Sequence, residues 1–167
     1  DVFSSGYARY LDFQRLERDS AVERVRTQVF SMQEAKDLDQ VVLALGRELQ
    51  GLDIRYRHCG LQIVGEQGEE AENIFLPYGG DTIERNRTGS WKEGTSVFEA
   101  WKGQQVVYRA DLAKDDPYGE ADMLKSGLRS IVDVPFSYGT FALNSENPEA
   151  FWPPDIEIFR AFAAAIE

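Results

Sequence analysis

At 167 residues the chain suits one domain, or one domain with a connecting helix, and at 43% hydrophobic and 28% charged it can bury a core with no metal or disulfide staple. A net charge of -11 argues against nucleic-acid backbones and anionic membrane surfaces as partners, and no apolar run approaches the roughly 18 residues a membrane span needs. The single cysteine, Cys59, excludes an internal disulfide and, with no signal peptide visible, fits a reducing cytoplasm.

Residues 7–32 are charged and free of Gly and Pro, which predicts a long N-terminal helix. Val22, Val25, Val29 and Met32 follow 3-4-3 spacing and make one apolar stripe. Extended backwards, the heptad meets Leu11, Arg15 and Arg18, so two arginines break the stripe. Such a helix either packs on its own domain or pairs with a partner. Asp37 and Gln40 read as a capping box opening a second helix, with Leu38, Val41, Val42, Leu45 and Leu49 on its apolar face and Gly51 at a left-handed end.

Residues 54–64 read as a strand. Alternation sends Cys59, Leu61 and Ile63 to one face and Tyr56, His58 and Gln62 to the other. A polar turn over 65–73 leads to a short strand, 74–78. Residues 79–103 are irregular, with a helical piece at 97–101. A strand over 105–109, a loop, a short helix over 120–125 and an apolar strand over 130–136 follow. Tyr138-Gly139 turns that strand into a partner over 140–143. A last helix starts near Pro153, where missing amide donors cost little and Asp155 and Glu157 complement the helix dipole. Ile156, Phe159, Phe162, Ala163 and Ile166 are its buried stripe. The order predicts an α+β fold: an antiparallel sheet of about five to six strands flanked by helices, with a long N-terminal helix. The reading divides the chain into a connecting or signal helix, 1–36, and a domain, 37–167. Asp1 in place of Met and a helical pattern running to Glu167 suggest an excised domain.

Particular segments carry a family resemblance. Gly127-Leu128-Arg129-Ser130-Ile131-Val132-Asp133-Val134-Pro135-Phe136 resembles the fourth-strand pattern of the GAF domain, a PAS-related sensory fold. Tyr138-Gly139-Thr140-Phe141-Ala142-Leu143 resembles its Gly-centred hairpin, and Phe151 to Asp155 its Phe-x-x-x-Asp helix start. Upstream, Gln105 to Asp111 followed by Asp115-Asp116-Pro117 resembles the strand and exit loop before them. The resemblance spans about 38–166 and names no ligand. It implies a pocket on one sheet face, roofed by the insert and the short helix.

The resemblance therefore nominates Trp91, Phe98, Trp101 and Tyr108 as pocket walls, and Tyr56, His58, Arg109, Asp111, Arg129, Ser130 and Asp133 as polar anchors. Arg109 and Arg129 could grip a carboxylate or phosphate, and Asp133, inside an apolar strand, needs a partner such as either arginine. A lone His58 makes no metal or haem site, so no metal is expected and the cofactor is unknown. The cyclic-nucleotide signature of the family is incomplete: Phe151 and Asp155 match, but Ile156 stands where Glu is expected, and neither Asn144 nor Asn147 precedes a Lys. Cys59 lies on the wrong element for bilin attachment. One cysteine cannot form the disulfide on which the free methionine sulfoxide reductase branch depends.

The resemblance implies a bacterial cytoplasmic sensory domain that is not itself an enzyme. It would bind a small organic molecule, planar or anionic, and relay its occupancy through flanking helices to an output such as a histidine kinase of a two-component system. The partners implied are a second copy of the chain, paired through the N- and C-terminal helices, and the unidentified ligand, with no nucleic acid and no membrane. The alternative is a ligand-free dimerisation and relay module, its pocket filled by Trp91, Trp101 and Tyr108.

Overall fold

The computed structural model describes residues 2–65, 70–88 and 93–167. Five helices and six strands run in the order α1 (Val2–Phe30), α2 (Leu38–Gly51), β1 (His58–Val64), β2 (Ala71–Pro77), β3 (Glu84–Thr88), α3 (Ser96–Gly103), β4 (Val107–Arg109), α4 (Ala121–Lys125), β5 (Ser130–Phe136), β6 (Gly139–Ser145) and α5 (Pro153–Ile166). All six strands join one antiparallel sheet in the order β3-β2-β1-β6-β5-β4. The predicted α+β architecture and its long first helix are present.

One face of the sheet carries the core. Cys59, Leu61, Ile74, Leu76, Val132, Val134, Phe141 and Leu143 project towards α2 and α5 and are buried. Phe141 meets Phe159 and Phe162 of α5 edge-on, with ring centroids 6.2 and 6.3 Å apart, a geometry favoured by the ring quadrupoles. The second half of α1 completes this layer. Ala21 and Val25 are fully buried, with Val22, Val29 and Met32 against them. Arg24 of α1 forks onto Glu48 of α2, at 2.9 and 2.7 Å. The first half of α1 leaves Tyr7, Tyr10, Leu11, Phe13 and Leu16 exposed.

Several local expectations are corrected. Residues 84–88 form strand β3, not irregular chain. Their sequence, Glu-Arg-Asn-Arg-Thr, has no apolar alternation because the strand is an edge, held by pairing to β2 and by Arg85 bonding Asp39 of α2. Asp37 makes no capping bond to α2. Its carboxylate accepts instead from the backbone N–H of Gln33 and Glu34 in the preceding turn. Gly51 stays helical, and the left-handed residue is Asp53 at φ 59°. The strand predicted from 54 begins only at His58, after a bend. Tyr56 therefore shares the core side with Cys59, against the alternation expected for it.

Candidate functional site

The opposite sheet face carries a cleft of about 610 Å³, between the strands and the segments bearing α3 and α4. Strand register builds its floor. The pairs Phe75↔Gly60, Gly60↔Ala142 and Ala142↔Asp133 place two residues with minimal side chains between an aromatic and a carboxylate. Gly60 is required there, since a Cβ would stand 2.1 Å from the carbonyl oxygen of Ile74. The neighbouring row is polar. Asn73 donates to Asn86 Oδ1 at 2.7 Å, and Thr140 donates to Gln62 Oε1 at 2.8 Å. On the other side, the Asn144 side-chain oxygen accepts from the His58 backbone N–H at 3.0 Å and lies 3.3 Å from its Nδ1.

The deep end is an ion network. Arg109 Nη1 donates to Asp133 at 2.6 Å and to the Val107 carbonyl at 3.2 Å, while Nε and Nη2 fork onto Glu120 at 2.7 and 3.0 Å. Ser96, at the start of α3, donates to the same Glu120 at 2.8 Å. The side chains of Arg109 and Asp133 are 3% and 1% exposed. One glutamate thus fastens β4, the entry to α4 and the entry to α3 to the floor. Burial pushes the Asp133 carboxyl above the usual carboxylate range, with Arg109 opposing that shift and Glu120 adding to it. Burial alone would lower Arg109, but the facing carboxylates of Asp133 and Glu120 raise it.

The nominated residues divide sharply. His58, Arg109 and Asp133 line the cleft. Tyr56 does not: its hydroxyl donates to the Gly46 carbonyl at 3.3 Å, and its ring packs on Tyr78 beneath α2. Tyr108 also faces the core, where its hydroxyl accepts from the Phe151 N–H at 3.1 Å. Asp111 and Arg129 bind each other by two bonds of 2.8 and 2.9 Å away from the cleft, so Arg129 is no anchor for a ligand anion. Arg109 is no free anchor either, because four of its N–H bonds are taken within the protein. Ser130 is buried and donates to the Asn147 carbonyl at 2.8 Å. Phe98 and Trp101 pack on each other along α3, and Trp101 Nε1 donates to the Ser137 carbonyl at 3.1 Å, outside the cleft lining. Trp91 lies outside the described residues. Trp101 and Tyr108 therefore do not fill the cleft, contrary to the ligand-free alternative.

Sequence reasoning missed Gln62 as a lining residue, although its alternation placed it on this face. It also missed Asn73 and Asn86, hidden by the shortened β2 and the unrecognised β3, and Glu120, one acid among 29. Among the described residues no cluster of His, Cys, Asp and Glu could hold a metal, and no helix is long and apolar enough to cross a membrane.

No protein-family profile matches the chain, and no curated protein matches it significantly. Solved structures do. A GAF domain is similar over 92% of this chain and 86% of its own, with a TM-score of 0.66 at 13% identity. The GAF domain of an Acinetobacter phosphoenolpyruvate-protein phosphotransferase gives a TM-score of 0.61 at 12% identity, covering 89% of each chain. The free methionine-R-sulfoxide reductase of Neisseria meningitidis, in complex with its substrate, gives 0.64 at 15% identity, covering 89% of this chain and 85% of its own. The chain thus has the GAF fold. The expectation that it is not an enzyme is overturned. Reductases from Neisseria meningitidis, Staphylococcus aureus and Thermoplasma acidophilum share this fold, so the architecture gives no ground for excluding catalysis.

Proposed function

We propose that the chain is a sensory domain that binds a small organic molecule in the cleft on the β1–β6–β5 face and relays occupancy through α5 and α1 to neighbouring segments, with a bacterial cytoplasmic histidine kinase as the output. The observation that carries this reading is the cleft itself: about 610 Å³, with an apolar middle and polar groups at both ends, the composition of small-molecule sites. The same strands carry α5 on their other face, and α5 packs on α1. Ligand binding biases the helices only to the extent that it favours one of their arrangements. The relay partner on this reading is a second copy. Tyr7, Tyr10 and Leu11 lie on the same side of α1 as Ala21 and Val25, beyond the break at Arg15 and Arg18, and are exposed, a face suited to pairing α1 with its twin. Native mass spectrometry of the purified chain tests both parts. A retained small molecule and a dimer are expected, and a strictly monomeric, ligand-free species at high concentration contradicts them.

A further inference from the structure

The charge of the cleft specifies what it takes. Among the described residues four carboxylates line it, those of Glu84, Glu120, Asp122 and Asp133, against one guanidinium, Arg109. That guanidinium is already bound to Asp133 and Glu120, so the deep end holds two acids for one base. Asp133 is 1% exposed; among the described residues only its Oδ2 is engaged, and its Oδ1 accepts no hydrogen bond. A buried carboxylate oxygen with open lone pairs is costly unless something donates to it. Ala142, paired with Asp133 across β6, lines the cleft with only a methyl group at that point. Val97, Met123, Leu128 and Ile131 supply apolar walls.

We propose that the cleft selects an organic cation, a protonated amine or amidine whose N–H groups donate to Oδ1 of Asp133 while its apolar body lies over Ala142 and against Val97 and Ile131. This deepens the sensory reading and rests on it. It also replaces the anionic ligand expected from Arg109 and Arg129. The donor would satisfy the open oxygen, and a charge-assisted bond of this kind is stronger than a neutral one. An anion would meet Asp133 and Glu120 across the same space with no free arginine to offset them.

Benzamidine, benzamide and benzoate share one shape and differ in charge. Their binding to the full chain is measured by calorimetry, with backbone amide NMR shifts to place the site. Benzamidine is expected to shift Val97, Asp133 and Ala142 and to bind about ten-fold or more tightly than the other two. The preference is expected to vanish in Asp133→Asn. If that variant fails to fold, the double variant Glu84→Gln/Asp122→Asn, at the rim, is expected to weaken benzamidine several-fold and leave benzamide unchanged. Equal binding of all three, tighter benzoate, a benzamidine preference that survives Asp133→Asn, or benzamidine binding unchanged in the rim variant overturns the cation while leaving the cleft a binding site. No binding by any of the three overturns the cation inference and, if native mass spectrometry also finds no retained molecule, the sensory reading with it.

Discussion

Two carboxylates, Asp111 and Asp133, illustrate how surroundings set the role of a residue. Asp111 accepts two bonds from Arg129 and one from the Ala113 N–H at 3.2 Å. The Arg129 hydrogen bonds hold its carboxyl below the usual carboxylate range. A carboxyl depressed in the folded state contributes stability above its unfolded pKa and loses it as pH falls through the folded value. Asp111→Asn is therefore expected to lower the melting temperature at neutral pH, and the gap to wild type should close as pH drops below about 3.9. Thermal melts across that range check the sign. Cys59 is the opposite case. Burial, opposed by a hydrogen bond with Tyr56, pushes its thiol up to about 12, on the face turned away from the cleft. Thiolate is the reactive form, so a disulfide reagent such as DTNB should label Cys59 only as fast as the chain opens. Rapid labelling under native conditions would contradict this placement. Asp133 was legible as a buried acid needing a basic partner, and Arg109 is that partner. Its open second oxygen was not legible, because it depends on which donors three separate elements deliver.

At the level of elements, what the sequence disclosed tracks apolar periodicity. β5 and β6 are apolar strands buried almost throughout and α5 keeps helical apolar spacing, and each lies close to where the pattern put it. β3 carries none, so pairing alone defines it. The start of β1 was misplaced because a bend at Arg57 breaks the two-residue alternation, and Tyr56 moved to the core with it. The roof of the cleft shows a similar limit. α4 is only five residues long and buries no side chain fully; it is positioned by Glu120, just before it, and by half-buried Leu124, which packs on Leu112, Leu128 and Ile131. Removing one member of a buried ion network leaves the others uncompensated, at a cost of about 3–5 kcal/mol. Arg109→Leu is expected to destabilise the chain by that amount in chemical denaturation. Protection from hydrogen exchange should also fall selectively in α3 and α4, which Glu120 ties to the sheet. A loss spread evenly over all elements would show that the network stabilises without fastening the roof.

For the whole molecule, α1 divides into two functional lengths. From Ala21 onward it belongs to the core, with Arg24 and Glu48 locking it to α2. Before that it stands on exposed aromatics. Deleting residues 1–18 is expected to leave the unfolding free energy within about 0.5 kcal/mol, as for other surface changes. Deleting residues 1–32 removes two fully buried side chains and should cost several kcal/mol. Denaturant titration of both truncations decides it, and a large loss from the shorter deletion would mean the first half packs on the domain. The sheet itself has a final consequence. On β5, Asp133 faces the cleft while its immediate neighbours, Val132 and Val134, face the helical layer. Adjacent residues of one strand cannot move apart, so the binding face and the helix face share a single backbone. A ligand that displaces the β5 backbone at Asp133 would displace two valines beneath α5 with it, because the two faces are separated by a single strand.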